Sequence, residues 1–424
     1  MIKIVHKNQK GLNGIVTIPS DKSISHRAIM LASLAKGTTL IKNFSKGQDP
    51  HSTIKIFKEL GIGVEFQDET TVTVTSNGIL NPPAKNLDCG NSGTTMRLMS
   101  GILAGQNFNS TLIGDDSLTK RPMKRIIEPL SLMGANIESK YDHAPLKIYG
   151  TKLYGIEYNT PIASAQVKSS ILLAGLNAEG ITKVREPYLS RNHTELMLKY
   201  LEADIETNKS TTIIKPSKLV AKEIDICGDI SSAAYFIVAG LIVPNSNIIL
   251  KNVGLNPTRC GIIEIAKKMG GAITILDQRE VSGELVGDIQ VKTSELNSVK
   301  IDGEIIPRLI DELPIIAVMA TQAKGITIIK DAKDLRNKES DRISTTVAEL
   351  RKLGADIEEL EDGFIINGKT KLTGGCETNS YDDHRLGMSL YVAGLVTQKE
   401  ISINGFEWID ISFPEFEQLF ELLY

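Results

Sequence analysis

An α/β fold of two similar lobes, each made of three copies of one α/β unit around buried parallel helices, is what this sequence predicts. Three observations predict it. A strand-like segment rich in β-branched residues recurs six times, at 37–44, 109–116, 180–187, 246–253, 325–332 and 399–406. A helical stretch of small and apolar residues precedes the copies, and at 28–35, 169–176 and 233–241 it is apolar on nearly every side, the mark of a helix buried all round. The spacings between copies are 72, 71, 66, 79 and 74 residues. That is too long for solenoid repeats of about 20 to 50 residues, and it suits a compact unit of several elements.

Each element of the unit has its own signal. Small Ala and Gly faces let the buried helices approach closely. A second, amphipathic helix follows the strand, with Pro near its start and Gly past its end. Asp49 and Pro50 open one that Gly61 closes; Ile54, Phe57 and Leu60 face inward, while Lys55, Lys58 and Glu59 face out. Pro122 opens another before Gly134, Asn256 and Pro257 open another before Gly270, and Ser340 to Gly354 forms that of the fifth copy. Short strands follow, as at 63–66, 135–138 and 355–358. The unit reads helix, strand, helix, strand, strand, and six units make about two domains with a seam near Asp225 to Ser232.

Composition narrows the function. A chain of 424 residues makes about two to four domains. A net charge of -3 gives no basic field of the kind that marks nucleic-acid binders. An anionic ligand must therefore be held by local Lys and Arg. The longest apolar run, Ala233 to Val243, falls well short of the roughly 20 residues that span a bilayer. Cys89, Cys227, Cys260 and Cys376 are far apart and show no metal-ligand spacing, nor do His6, His51, His143 and His193. A soluble, reduced, cytoplasmic protein without metal or cofactor is expected.

If the buried helices are equivalent, so are their N-terminal ends, and those ends carry unlike residues. They bring Lys22, Ser23 and Arg27; Asn91, Ser92 and Gly93; Ser164, Gln166 and Lys168; Asp229 and Ser231; Asp311 and Glu312; and Asp383, His384 and Arg385. Helix N-termini present free N–H groups and a positive dipole end, so a set of them facing a shared crevice would bind a multiply anionic ligand. Two charged loops, with Lys120 and Arg121 and with Lys338, Glu339 and Arg342, precede amphipathic helices. Taken singly, each cluster has an ordinary explanation: Ser and Asp are common N-caps, Asp and Glu suit a helix's first turn, and charge runs are usually solvated. Recurrence at equivalent places is what favours a site. A carboxylate set among cations is a candidate acid or base.

These residues fall into spaced motifs. Pro19-Ser20-Asp21-Lys22-Ser23-Ile24-Ser25-His26-Arg27, Gly90-Asn91-Ser92-Gly93-Thr94, Arg121-Pro122, Lys338-Glu339-Ser340-Asp341-Arg342 and Asp383-His384-Arg385 occur in order along the chain. Together they resemble the signatures of the 3-phosphoshikimate 1-carboxyvinyltransferase (EPSP synthase) family. The resemblance implies an enolpyruvyl transferase-like inside-out α/β barrel of two lobes, with the chain crossing twice: 20–229 in one lobe, 1–19 plus 230–424 in the other. It implies transfer of the enolpyruvyl group of phosphoenolpyruvate to the 5-hydroxyl of 3-phosphoshikimate through a tetrahedral ketal, with release of phosphate, in the shikimate pathway to aromatic amino acids. A monomer acting on small molecules is expected.

By the same resemblance Lys22, Ser23, Arg27, Ser164, Gln166, Asp311 and Lys338 contact the shikimate moiety. Lys22, Gly93, Arg121, Gln166, Arg342 and Arg385 contact phosphoenolpyruvate. Asp311 is the candidate base for the hydroxyl and Glu339 the candidate for proton transfer at C3, with Lys22 assisting. Three positions depart from the family pattern: Ile411 stands where many members place a phosphoenolpyruvate-binding lysine, Ala165 replaces a serine, and Leu98 replaces a proline. Two other readings stay open. A sister transferase moves the same group to UDP-N-acetylglucosamine, using a cysteine or an aspartate on the loop before an Arg-Pro pair, where this chain has Asp115 and Asp116 but no cysteine. A non-catalytic relative could keep the anion crevice, although Asp311 and Glu339 would then have no purpose among the cations.

Overall fold

The computed structural model describes residues 1–424. The six buried helices are Lys22–Leu34, Gly93–Ala104, Ala165–Gly175, Ile230–Ile242, Leu313–Thr321 and His384–Gly394. Every residue from Ile230 to Leu241 except Ser232 is buried, as the all-round apolar pattern requires. Small residues set how near the helices come. A Cβ on Gly101 would lie 2.1 Å from the carbonyl oxygen of Ser170, so the second and third helices touch backbone to backbone.

Five of the six copies end in a four-stranded sheet of one topology. In the second copy the order is Leu87–Asp88, Ser110–Ile113, His143–Tyr149, Asn136–Lys140. The strand after the buried helix pairs in parallel with the short edge strand and antiparallel with the last strand of the unit. The edge strand was not anticipated from sequence. It recurs as Glu157–Asn159, Ile224–Asp225, Lys300–Ile301 and Glu377–Asn379, and as Asn13–Thr17 beside Asn247–Gly254. In the first copy the edge strand comes from Ile224–Asp225, about 180 residues after the strand Lys36–Lys42 it joins, so the first three copies close on themselves.

Three expectations need correction. The helix expected to open at Asn256 begins only at Gly261, because the Asn256 side chain accepts from Thr258 N and holds 256–260 in a turn. That expected to open at Pro122 is Lys124–Leu132, preceded by a separate helical turn, Asp116–Thr119. The sixth copy has no amphipathic helix and hairpin of the common form. A 3-10 turn, Phe406–Ile411, and a short helix, Phe416–Glu421, take their place, and Ile2–Val5 pairs with Ile401–Asn404. Aromatic packing fills the space: Phe420 stacks on Phe236 at 4.3 Å, and Phe416 meets Tyr235 and Tyr391 edge-on.

The chain divides into two compact units. The first comprises Ser20–Ile226 and Glu280–Glu284; the second comprises Met1–Pro19, Cys227–Arg279 and Leu285–Tyr424. Glu280–Glu284 is the turn of the hairpin Ala272–Val281 and Glu284–Lys292. Within the first unit, Ser282 Oγ accepts from Asp225 N, and Glu284 Oε1 lies 2.5 Å from the buried His193 Nδ1.

Candidate active site

Caps place the functional residues. Asp21, Ser92, Ser164, Asp229 and Asp383 all have extended backbone and accept an N–H from their helix's first turn. The fifth helix has no side-chain cap; Pro314 removes one free N–H there instead. The residues following each cap thus emerge at the helix N-terminus.

In the first unit, Lys22 begins its helix and ion-pairs with Asp49 at 2.9 Å. Ser23 accepts from Arg191 Nη1 at 2.5 Å. Arg27 is buried and reaches across the helices. Its Nε donates to Thr194 Oγ1 at 2.7 Å, its Nη2 to Ser169 Oγ at 3.1 Å and its Nη1 to Ser23 O at 2.9 Å. Gly93 explains its own lack of a side chain: a Cβ there would fall 2.6 Å from Arg97 Nη1 and 3.4 Å from Arg121 Nη1. Two guanidinium groups therefore gather over one helix end. Arg97 Nη1 donates to Gln166 Oε1 at 2.9 Å, and Gln166 Nε2 donates to Thr94 Oγ1 at 3.0 Å. Arg121 Nη2 donates to Asn91 Oδ1 at 3.3 Å. Ser164 is the cap of its helix, and its own N–H donates to Glu186.

Below these ends runs a buried polar chain. His26 Nδ1 is 2.7 Å from Thr53 Oγ1, which is 2.8 Å from Thr95 Oγ1, which donates to Ser92 Oγ. Burial, with Lys22 and Arg27 nearby, holds His26 neutral, its pKa lowered to about 3 despite Asp49 and Asp21.

In the second unit, Asp311 Oδ1 lies 3.3 Å from Lys338 Nζ and 3.5 Å from Arg342 Nη1, and its Oδ2 lies 3.9 Å from Arg259 Nη1. Arg385 Nη1 donates to the Asp311 carbonyl at 3.3 Å. Burial pushes the Asp311 carboxyl up, but Lys338, Arg385, Arg342 and Arg259 outweigh it and hold the group well below the usual carboxylate range. Arg342 is fully buried. It donates through Nε to Asp383 Oδ2 at 2.7 Å and through Nη2 to Glu339 Oε2 at 2.6 Å. Asp383, itself buried, also caps the sixth helix by accepting from Arg385 N. Glu339 and Asp311 thus share Arg342.

Several charged partners escaped the sequence reading. Arg97, Arg191 and Arg259 all belong to these clusters, where they join Glu312, which the sequence already places at a helix end. Glu312 accepts from the Ser231 hydroxyl and lies 3.7 Å from Arg385 Nη1. The signal that could have found Arg97 is a lone charge inside an otherwise apolar helix. Arg191 and Arg259 sit in loops without such a mark. Ile411 stands half-buried at the end of its 3-10 turn. The Asp115 carboxylate is occupied structurally, accepting from Leu118 N and from Asn91 Nδ2, both at 2.8 Å.

The repeated α/β units form a fold shared with a solved enolpyruvyl transferase. The enolpyruvyl transferase NikO from Streptomyces tendae shares the fold, with a TM-score of 0.80 over 100% of this chain and 97% of that one at 16% identity. The family model described as EPSP synthase (3-phosphoshikimate 1-carboxyvinyltransferase) matches residues 6–420, and the chain belongs to that family. A 3-phosphoshikimate 1-carboxyvinyltransferase of Thermoanaerobacter sp. (strain X514) is 52% identical over 420 residues, 98% of this chain and 99% of that one. One of Bacillus velezensis is 52% identical over 410 residues, 96% of each. A solved structure of EPSP synthase from Acinetobacter baumannii is 42% identical, with a TM-score of 0.89 over 99% of this chain and 97% of that one.

Proposed function

We infer that the chain transfers the enolpyruvyl group of phosphoenolpyruvate to the 5-hydroxyl of 3-phosphoshikimate and releases phosphate. Asp311 and Glu339 carry the reading: two carboxylates on one buried arginine, Arg342, with Lys338 also beside Asp311. Lys22, Ser23, Arg27, Ser164, Gln166, Asp311 and Lys338 are assigned to 3-phosphoshikimate. Lys22, Gly93, Arg121, Gln166, Arg342 and Arg385 are assigned to phosphoenolpyruvate, whose phosphate and carboxylate suit bidentate guanidinium contacts.

Asp311 takes the proton of the 5-hydroxyl as that oxygen bonds to C2 of phosphoenolpyruvate. Glu339, which carries a proton once bound ligand draws Arg342 away from it, delivers that proton to C3, which gives the tetrahedral ketal. Glu339 then takes a proton back from the new methyl group as the C2–O bond to phosphate breaks; Lys22 protonates the leaving phosphate, and the proton that Asp311 took restores Lys22. As it stands Asp311 is a weak base, because burial is outweighed by Lys338, Arg385, Arg342 and Arg259. Ligand anions that engage those cations would lessen their hold on the carboxylate and raise its basicity. The same exchange at Arg342 would loosen Glu339 for its proton transfers.

The proposal includes the two lobes as 20–229 and 1–19 plus 230–424, and a monomer in the cytoplasm acting on small molecules without nucleic acid. No helix is long and apolar enough to cross a membrane. The sister reaction on UDP-N-acetylglucosamine finds less support, because Asp115 already caps a helical turn. Phosphate release from phosphoenolpyruvate, measured with each acceptor in turn, tests the proposal. Release with 3-phosphoshikimate is expected. Release with the sugar nucleotide alone would overturn it, and tight binding without release would point to a non-catalytic relative.

A further inference from the structure

Lys168 is placed against electrostatic preference. It lies in the first turn of the helix Ala165–Gly175, where the dipole disfavours a cation, and its side chain is only 1% exposed. Two carboxylates meet it: Glu186 Oε2 at 2.6 Å and Glu195 Oε1 at 2.8 Å, both also buried. Burial pushes the Lys168 pKa down, but Glu195 and Glu186 more than offset this and leave it raised. Such a buried triad is weak evidence for stability by itself, since apolar residues of similar volume often do as well.

What the triad holds is specific. Glu186 Oε1 accepts the N–H of Ser164 at 3.0 Å, two residues before Gln166. Glu186 Oε2 accepts the N–H of Ser190 at 3.2 Å, and Lys168 Nζ is 3.4 Å from the Ser190 carbonyl. The next residue, Arg191, donates to Ser23 Oγ. Glu195 follows Thr194, whose hydroxyl accepts from Arg27 Nε and meets Ser169 Oγ, both at 2.7 Å. Ser164, Arg27 and Ser23 thus lie one, two and three links from the triad, and all three are assigned above to 3-phosphoshikimate alone.

We propose that Lys168, Glu186 and Glu195 are positioning residues that lock the segment 186–195 to the third buried helix and so preset the 3-phosphoshikimate contacts of this unit. The proposal rests on the substrate assignment made above. A carboxylate that grips one backbone N–H on each side fixes both segments in one register. Hydrogen bonds weaken steeply as donors move off their distance and angle, so such a lock affects the hold on 3-phosphoshikimate without touching it.

The test compares Glu186→Gln with the unaltered protein, using 3-phosphoshikimate and phosphoenolpyruvate as the probes. Glutamine keeps one carbonyl acceptor but loses the charge and the second acceptor. The expected result is a KM for 3-phosphoshikimate raised by about tenfold or more, with the KM for phosphoenolpyruvate changed less than about twofold and kcat lowered far less than the KM rises. Glu195→Gln should show the same split more weakly. Equal changes in both KM values, or none, in a variant that unfolds normally would overturn the proposal. If Glu186→Gln does not fold, Glu195→Gln and Lys168→Arg decide it by the same split, and unchanged 3-phosphoshikimate KM in both would overturn it. An unaltered protein that releases no phosphate would instead count against the substrate assignment itself.

Discussion

Asp311 has four cations around it and one hydroxyl proton to take. Asp311→Ala removes the base but leaves Lys338, Arg342 and Arg385 to bind anions. Turnover should fall by roughly a hundredfold to ten-thousandfold, the usual worth of a positioned base, while 3-phosphoshikimate affinity changes much less. Steady-state kinetics beside equilibrium binding separates the two, and unchanged turnover would remove Asp311 from the mechanism. His26 makes a second claim at this scale. Its pKa is about 3 in the folded chain, because burial disfavours the cation, and about 6.5 in the unfolded one. Between those values the unfolded chain binds the extra proton. The stability His26 contributes is therefore complete above about pH 6.5 and is lost as pH falls towards about 3, with a slope near 1.4 kcal/mol per pH unit. His26→Gln should flatten the fall in urea midpoint with decreasing pH across that window; an identical slope would show that other groups control it.

At the scale of elements, close helix packing is the testable feature. Gly101→Ala would place a methyl 2.1 Å from a backbone oxygen that cannot swing aside. Thermal or urea unfolding should report a loss of about 1–3 kcal/mol or more, as for other overpacked cores; a neutral substitution would mean the second and third helices can separate freely. This packing was legible in sequence, because a helix with small and apolar residues on every side has only one place to go. The edge strands were not. Leu87–Asp88, Ile224–Asp225 and Lys300–Ile301 have two residues each, too few to show an alternating pattern, and their pairing partners lie far along the chain. The late start of Gly261–Lys268 was hidden because Asn256 and Pro257 open a turn as readily as a helix. The site was half legible for a similar reason. Asp311, Glu339 and Arg342 stand in charged motifs and Lys168 at a helix end, whereas Arg97 lies inside a helix whose pattern speaks of packing, and its partner Gln166 comes from another copy.

For the whole molecule, the six copies divide the work between scaffold and chemistry. Shared positions build the helices and sheets; unshared positions at the helix N-termini hold the charges. The first unit collects Lys22, Arg27, Arg97 and Arg121 at or beside its helix ends, which suits the holding of anions. In the second unit Arg259, Lys338, Arg342 and Arg385 are interleaved with Asp311, Glu312, Glu339 and Asp383, which suits the moving of protons. The central claim is that these groups serve one transfer to one oxygen. The most direct measurement follows carbon-labelled phosphoenolpyruvate by nuclear magnetic resonance in the presence of 3-phosphoshikimate and the protein. The account predicts that the label appears as an enol ether on the 5-oxygen, with one phosphate released for each. Label recovered as pyruvate, or on any other oxygen, would contradict it.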